Sequence, residues 1–388
     1  MKKRILLVIL ACCLCIFSSC RTGSRRMIVV LEDTGMIQSL LVELDAESIA
    51  VIERLDIING VLCELSAGQQ AALERMVGIA YIEPDYAVSI LDTPSAMKVE
   101  AQEVVPAFEN IDWGMYRINA PEAWEIATGV GIKVGVIDTG IDTDHPDLIG
   151  AVAGGYSAIG SSYEDDNNHG TAVSTVIAAR KNGVGIIGIA PGCTLYAIKV
   201  LNAKGSGWIS DIVKGYQWAL GQELDVVNMS LGSYNRSQAL IDAMDAAAAQ
   251  GMATVCASGN DGKASVCYPA RNYNALVVGA SGYEDTRVEW SNYGEAMKKN
   301  GILAPGDWVL AGNKSGTWQR VSGTSIATPH VVGVIALLLE IKWCDREFIF
   351  EGCSLGLSPT LKDGHGLLNA RKALDVMIDA YYDLGITD

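Results

Sequence analysis

The chain has 388 residues, 49% hydrophobic and 19% charged, a composition that suits two globular parts behind a leader and does not read as disordered. Lys and Arg number 29 against 45 Asp and Glu, a formal charge of −16, which argues against a nucleic-acid backbone as partner. The acidic balance fits a soluble extracytoplasmic protein without specifying one.

At the N-terminus, Lys2, Lys3 and Arg4 precede the apolar run from Ile5 to Phe17. That run is too short to span a bilayer comfortably and has the shape of a signal-peptide core. It ends in Phe17-Ser18-Ser19-Cys20, which resembles a bacterial lipobox with Phe where Leu is usual. Residues 1–20 are therefore expected to be a signal peptide of the lipoprotein type, with Cys20 lipidated. The alternative is an ordinary signal peptide that contains Cys. Either places the chain outside the cytoplasm, in a bacterial cell envelope or secreted, with a lipid anchor as its membrane contact. Six of the ten Cys lie beyond this leader. Export permits disulfides, and Cys256 with Cys267, or Cys344 with Cys353, would close short loops; buried free thiols are the alternative. No zinc-type Cys/His spacing occurs.

Residues 21–91 read as a small α+β domain. Met27 to Leu31, Gly60 to Leu65 and Ile79 to Pro84 have strand character, and Gln38 to Leu44 and Ala67 to Met76 have helical spacing. Residues 92–111 carry Pro94 and Pro106 with little periodicity and read as a linker. From 112 to 388 apolar strands alternate with helices. Strands are expected at Ile132–Ile137, Leu195–Val200, Asp225–Met229, Ala253–Ala257 and Leu276–Ala280. Helices are expected at His169–Lys181, Ile209–Leu220, Ser237–Gln250 and Ser325–Ile341. Continuous apolar strands separated by helices imply a parallel sheet covered on both faces, a three-layer α/β/α domain. In such folds chemistry gathers at the C-terminal ends of the strands.

Four segments carry that chemistry. Val136-Ile137-Asp138-Thr139-Gly140 ends a buried strand in a carboxylate. Asn168-His169-Gly170-Thr171 opens a helix with a His, and Ala257-Ser258-Gly259-Asn260 puts an amide directly after a strand. Gly323-Thr324-Ser325-Ile326-Ala327-Thr328-Pro329-His330 sets a Ser at the head of a long helix, with Pro329 in its first turns. A Ser hydroxyl needs a base, and a His of ordinary pKa about 6.5 can serve near neutral pH. Asp138 would fix the tautomer of His169 and stabilise its charged form. The Asn260 amide and the Ser325 backbone N–H would take the oxyanion, at the positive end of the helix. The order Asp, His, Ser differs from the Ser, Asp/Glu, His of α/β-hydrolases.

These segments, with Trp113-Gly114, His145-Pro146-Asp147-Leu148, Asn228-Met229-Ser230-Leu231-Gly232, Ala304-Pro305-Gly306 and Gly364-His365-Gly366, resemble the subtilisin-like serine proteases over roughly 112–375. The resemblance implies a serine endopeptidase acting on polypeptides through an acyl-enzyme, with no cofactor for the chemistry. Residues 21–91 resemble the subtilisin-type propeptide, ending in Tyr81-Ile82-Glu83-Pro84-Asp85. This implies a zymogen whose own propeptide inhibits it, with self-cleavage between about Ile90 and Ile111. It also implies substrate pairing along Gly205, Ser206 and Gly207 and along Ser230, Leu231 and Gly232. The specificity pocket would lie among Leu231, Gly232, Ala257, Ser258, Gly259, Asn260 and Cys267, suiting apolar or mixed side chains, and a Cys256–Cys267 bridge would stiffen it. Asp147 and Asn182 match positions that hold structural Ca2+, with Glu109 as a further donor; a loop carboxylate capping a turn is the alternative for Asp147. Ile326 and Ala172 depart from the best-known members at positions outside the triad. A monomer is expected. A catalytically silent binding protein of the same fold, or an esterase using the same triad, are the competing functions.

Overall fold

The computed structural model describes residues 24–91, 103–104, 109–342, 346–352 and 358–383. The leader with Cys20, most of the 92–111 linker, Cys344 and Cys353 lie outside them. The chain packs as two compact units. Among the described residues, one unit holds those up to Arg54 and Asn59–Pro84; the other holds Leu55–Ile58 and those from Asp85 onward.

In the first unit β1 (Arg25–Leu31), α1 (Ile37–Ala46), β2 (Val51–Leu55), β3 (Gly60–Leu65), α2 (Ala67–Leu73) and β4 (Ile79–Pro84) follow in order. The sheet order is β2-β3-β1-β4, with β1 antiparallel to β3 and β4. Met27, Val29 and Leu31 on one face of β1 meet Leu40 and Leu44 of α1 and Val61, Cys63 and Leu65 of β3 in a single core. Each such side chain contributes about 1.5–3 kcal/mol when fully buried. Ser66 starts α2 through a reciprocal cap: its hydroxyl accepts from the Gln69 N–H, and its own N–H donates to Gln69 Oε1. The strand β2 buries only its last residue, so no alternation marks it in the sequence.

The second unit contains β5 (Ala87–Ile90), β6 (Glu103–Val104), α3 (Trp113–Arg117), α4 (Ala120–Ala123), β7 (Lys133–Asp138), β8 (Val152–Ser157), α5 (His169–Ala178), β9 (Thr194–Lys199) and β10 (Ser206–Trp208). It continues through α6 (Ile209–Gly221), β11 (Val226–Met229), β12 (Leu231–Gly232), α7 (Gln238–Ala249), β13 (Ala253–Ala257), β14 (Ala275–Ser281), α8 (Glu295–Asn300) and β15 (Gly301–Pro305). Then come β16 (Val309–Gly312), β17 (Trp318–Val321), α9 (Thr324–Ile341), α10 (Arg346–Glu351) and α11 (Ala370–Asp383).

A 7-stranded sheet runs β15-β14-β13-β11-β7-β9-β8, and all its pairings are parallel. Its central strands are buried nearly end to end, as the apolar runs require once helices cover both faces. This is the three-layer α/β/α arrangement expected from the sequence. The helix α9 is apolar enough and long enough to cross a membrane, but 83% of it is buried inside the protein, so it is the core helix.

Two features of the helices differ from expectation. The helix α5 stops at Ala178, before Lys181, because the loop beyond it folds back: Gly188 N–H donates to Ala179 O and Ile189 N–H to Val176 O. Pro329 lies beyond the first turn of α9, so its missing N–H leaves Ser325 C=O without its helical partner. The Ser230 hydroxyl donates to that carbonyl at 2.8 Å and fills the gap.

Candidate active site

The strand β7 delivers Asp138, fully buried, at its C-terminal end between β11 and β9. Its Oδ1 accepts the Thr139 N–H at 2.7 Å, which fixes the carboxylate plane. His169 opens α5, and its Nδ1 lies 2.8 and 2.9 Å from the two oxygens of Asp138. An ionised Asp only accepts, so Nδ1 carries the proton and donates. Nε2 is buried and has no hydrogen-bond partner among the described residues. Burial works against the charged imidazole, but Asp138 and then Asp165 outweigh it and raise the pKa above the ordinary value.

The loop before α5 is organised by Asp165. Its Oδ1 accepts from the Thr139 hydroxyl and the N–H groups of Asn167 and Asn168; its Oδ2 accepts from the N–H and hydroxyl of Thr171. A carboxylate at this helix N-terminus meets donors that the helix itself leaves unpaired. Thr139 in turn accepts from the Gly170 N–H at 3.0 Å, so the strand end and the helix start are tied together. Gly170 permits this approach: a Cβ there would stand 2.0 Å from Gly140 O. Behind them Lys199 Nζ donates to Asp166 at 2.7 Å and to Leu201 O at 3.1 Å, and also to Thr139 O. Asp165 was not singled out in the sequence; its signal is an acidic residue just ahead of a helix start.

Ser325 lies in the first turn of α9 and is buried. Its Oγ donates to Ser230 O at 3.2 Å. The Ser230 side chain therefore faces the helix and not the cleft, and Asn228 Nδ2 donates to its Oγ at 2.9 Å. Asn260 Oδ1 accepts from the Thr324 N–H at 2.9 Å and the Thr324 hydroxyl at 2.8 Å. These two bonds assign the amide orientation, so Nδ2 points the other way, where it donates to Leu91 O at 3.3 Å.

An extended segment occupies the groove that the sequence marked for substrate. The strand β5 runs antiparallel between β10 and β12 in a 3-stranded sheet. Gly205 O accepts the Ile90 N–H at 2.9 Å, and Gly207 lies opposite Val88. The adjoining cavity is lined by Ser206, Gly232, Tyr234, Asn260, Asp261 and Cys267, among others. Leu231 pairs along the groove, whereas Ala257 and Ser258 are fully buried and do not line the cavity. Gly259, with φ +111°, packs where a Cβ would meet Cys267 Sγ at 2.7 Å and Asn292 Nδ2 at 2.2 Å. Cys256 and Cys267 are free buried thiols, not a bridge. Cys256 sits inside the sheet between Met229 and Val277, while Cys267 Sγ accepts from Asn292 at 3.7 Å.

Asp147 is fully buried. Its Oδ2 accepts from Ile186 N–H at 3.1 Å and from the Trp318 indole at 2.5 Å, while Oδ1 has no partner among the described residues. Burial, with Glu109 adding to it, pushes this carboxyl up to about 6. Glu109 accepts the N–H groups of Asn182 and Gly183. Asn182 Oδ1 accepts from Val184, and its Nδ2 donates to Pro146 O. Among the described residues no three His, Cys, Asp or Glu cluster for a metal. An orphaned carboxylate oxygen beside a second carboxylate fits a hard cation that also takes amide and backbone oxygens.

A carboxylate–imidazole pair at strand and helix ends, with a Ser at the head of a buried helix on a parallel sheet, defines an α/β/α hydrolase of the serine class. The family model for the subtilase family matches residues 129–347. The M-protease of Shouchella clausii is 41% identical over 290 residues, covering 73% of this chain and 75% of that protein. Subtilisin Savinase of Lederbergia lenta is 41% identical over 272 residues, covering 68% and 99%. Subtilisin E of Bacillus subtilis is 36% identical over 293 residues, covering 72% and 76%. The chain belongs to the subtilase family of serine endopeptidases.

Proposed function

We propose that the chain is an exported endopeptidase made as a self-processing zymogen, with Asp138, His169 and Ser325 as its triad and Asn260 as oxyanion donor. The observation that carries this reading is at Leu91. An amide locked by Thr324 donates to the carbonyl of an extended segment, while His169 presents a buried Nε2 with no partner among the described residues.

The chemistry follows from these placements. Asp138 holds Nδ1–H, which leaves Nε2 as the free base. The Ser325 hydroxyl turns about χ1 from Ser230 O toward Nε2, gives up its proton and attacks the peptide carbonyl. The oxyanion is received by Asn260 Nδ2 and the Ser325 N–H at the positive end of α9. His169 passes its proton to the departing amine, and water then repeats the sequence on the acyl-enzyme. Substrate polypeptide adds as a strand between β10 and β12, as β5 does.

In this reading residues 21–91 are the inhibitory propeptide, 92–111 the linker that frees it, and 112–388 the peptidase domain, working as a monomer. Residues 1–20 direct export, and Cys20 carries the lipid. The structural Ca2+ would sit at Asp147, with Asn182 and Glu109 beside it, and would supply charge to the orphaned Asp147 oxygen without entering the chemistry. The test is expression of the full chain: the wild type should cut itself and hydrolyse casein, and Ser325→Ala should do neither. A wild type that stays whole and leaves casein intact ends the enzyme reading.

A further inference from the structure

We infer that Ser230 is a positioning residue for the nucleophile: its hydroxyl, aimed by Asn228, holds the backbone of Ser325 still while the Ser325 side chain turns to His169. This rests on the reading of Ser325 as nucleophile given above.

Side chains hold the first turn of α9. Thr328 donates its hydroxyl to Thr324 O at 2.7 Å, and His330 Nδ1 donates to Ile326 O at 2.9 Å. Each bond runs back four residues within the helix. The carbonyl between them, that of Ser325, would pair with the N–H of residue 329, which is Pro. A proline ring also crowds the carbonyl four residues before it, so the turn is weakest at the nucleophile itself. The donor that this carbonyl receives comes from outside the helix, the Ser230 hydroxyl at 2.8 Å.

That hydroxyl is aimed. Asn228 Nδ2 donates to Ser230 Oγ at 2.9 Å, so the Oγ proton is free to point at Ser325 O, which can only accept. Both side chains are fully buried. Asn228 lies within β11, opposite Val136 of β7 and Val255 of β13. The brace is therefore anchored in the middle of the sheet, beside the strand that ends in Asp138.

The two serines exchange bonds, since Ser325 Oγ donates to Ser230 O at 3.2 Å. That bond breaks when Oγ turns to His169 Nε2; the one from Ser230 Oγ does not. The Ser325 backbone then stays fixed while its hydroxyl moves about χ1. Loss of the Ser230 hydroxyl would leave a buried carbonyl unpaired beside the proline ring. The turn would shift to find a donor, and a displaced Oγ costs rate rather than substrate binding.

Steady-state peptide cleavage tests this, with kcat expressed per site titrated by a fluorophosphonate. Ser230→Ala should lower kcat ~10–100-fold and leave KM within ~2-fold. Ser230→Thr, which keeps the hydroxyl, should recover most of that loss. Asn228→Ala leaves the hydroxyl but not its aim, and should lower kcat ~3–10-fold. The decisive arm is Pro329→Ala, which returns an N–H to Ser325 O. In that background Ser230→Ala should cost less than ~3-fold, because the helix now supplies the bond. A Ser230→Ala enzyme with wild-type kcat, or an equal loss with and without Pro329, overturns the brace and leaves the nucleophile standing. Hydrolysis by Ser325→Ala at the wild-type rate overturns both. If Ser230→Ala alone is not recovered folded, Asn228→Ala decides, and wild-type kcat there overturns the brace.

Discussion

Asp138 and Asp165 act on one imidazole in different ways. Asp138 bonds Nδ1 directly, while Asp165 reaches the ring through space and through the loop it ties down. With its pKa raised, His169 should lose base function as pH falls, so the acid limb of kcat/KM lies above about pH 6.5. Full activity at pH 4 would contradict the assigned base. The sign for stability is opposite. The folded chain holds this proton more tightly than the unfolded one, so the contribution is complete below about pH 6.5 and is lost as pH rises through the raised value. Asp165→Asn should move the acid limb to lower pH and lower kcat, because the pull on His169 and the loop anchor both weaken; an unmoved pH profile would confine Asp165 to a structural role. Asn260→Ala should cost ~100–1000-fold in kcat with KM little changed, read from steady-state cleavage of a peptide substrate.

At the scale of elements, close approach of backbone positions the site. Gly170 lets the head of α5 press on the loop after β7, where a Cβ would meet Gly140 O at 2.0 Å. Backbone cannot retreat as a flexible side chain can, so Gly170→Ala should lower Tm and activity together by pushing His169 away from Asp138. A thermal melt and a casein assay on one preparation check this. The strands β7, β9, β11, β13 and β14 were legible in the sequence because they are apolar runs buried on both faces. The edge strand β8 was not: Val-Ala-Gly-Gly-Tyr-Ser has two glycines and no fully buried side chain. The four residues of β5 show no period, and their pairing partners lie more than a hundred residues away. The same holds within the site. Asp138, His169, Asn260 and Ser325 each sit in a distinctive local segment. The roles of Thr324 on the amide, and of Ser230 on the carbonyl that Pro329 leaves unpaired in α9, come only from contacts across the fold.

For the whole molecule, the zymogen reading joins export, folding and inhibition. A parallel sheet is built from contacts distant in sequence and folds slowly, so a templating segment that stays in the cleft would speed folding and delay activity. The full chain should therefore show little casein hydrolysis until the tail is cut, with activity rising as the fragments appear. Calcium removal belongs to the same scale. EDTA should lower Tm if the orphaned Asp147 oxygen holds a cation, and an unchanged Tm counts against the site. The central claim, a Ser325 nucleophile activated by His169, is tested most directly by a fluorophosphonate label on the processed enzyme followed by peptide mapping. The account predicts a single adduct on Ser325 that is lost in His169→Ala; an unlabelled Ser325, or labelling that survives loss of His169 at the wild-type rate, would contradict it.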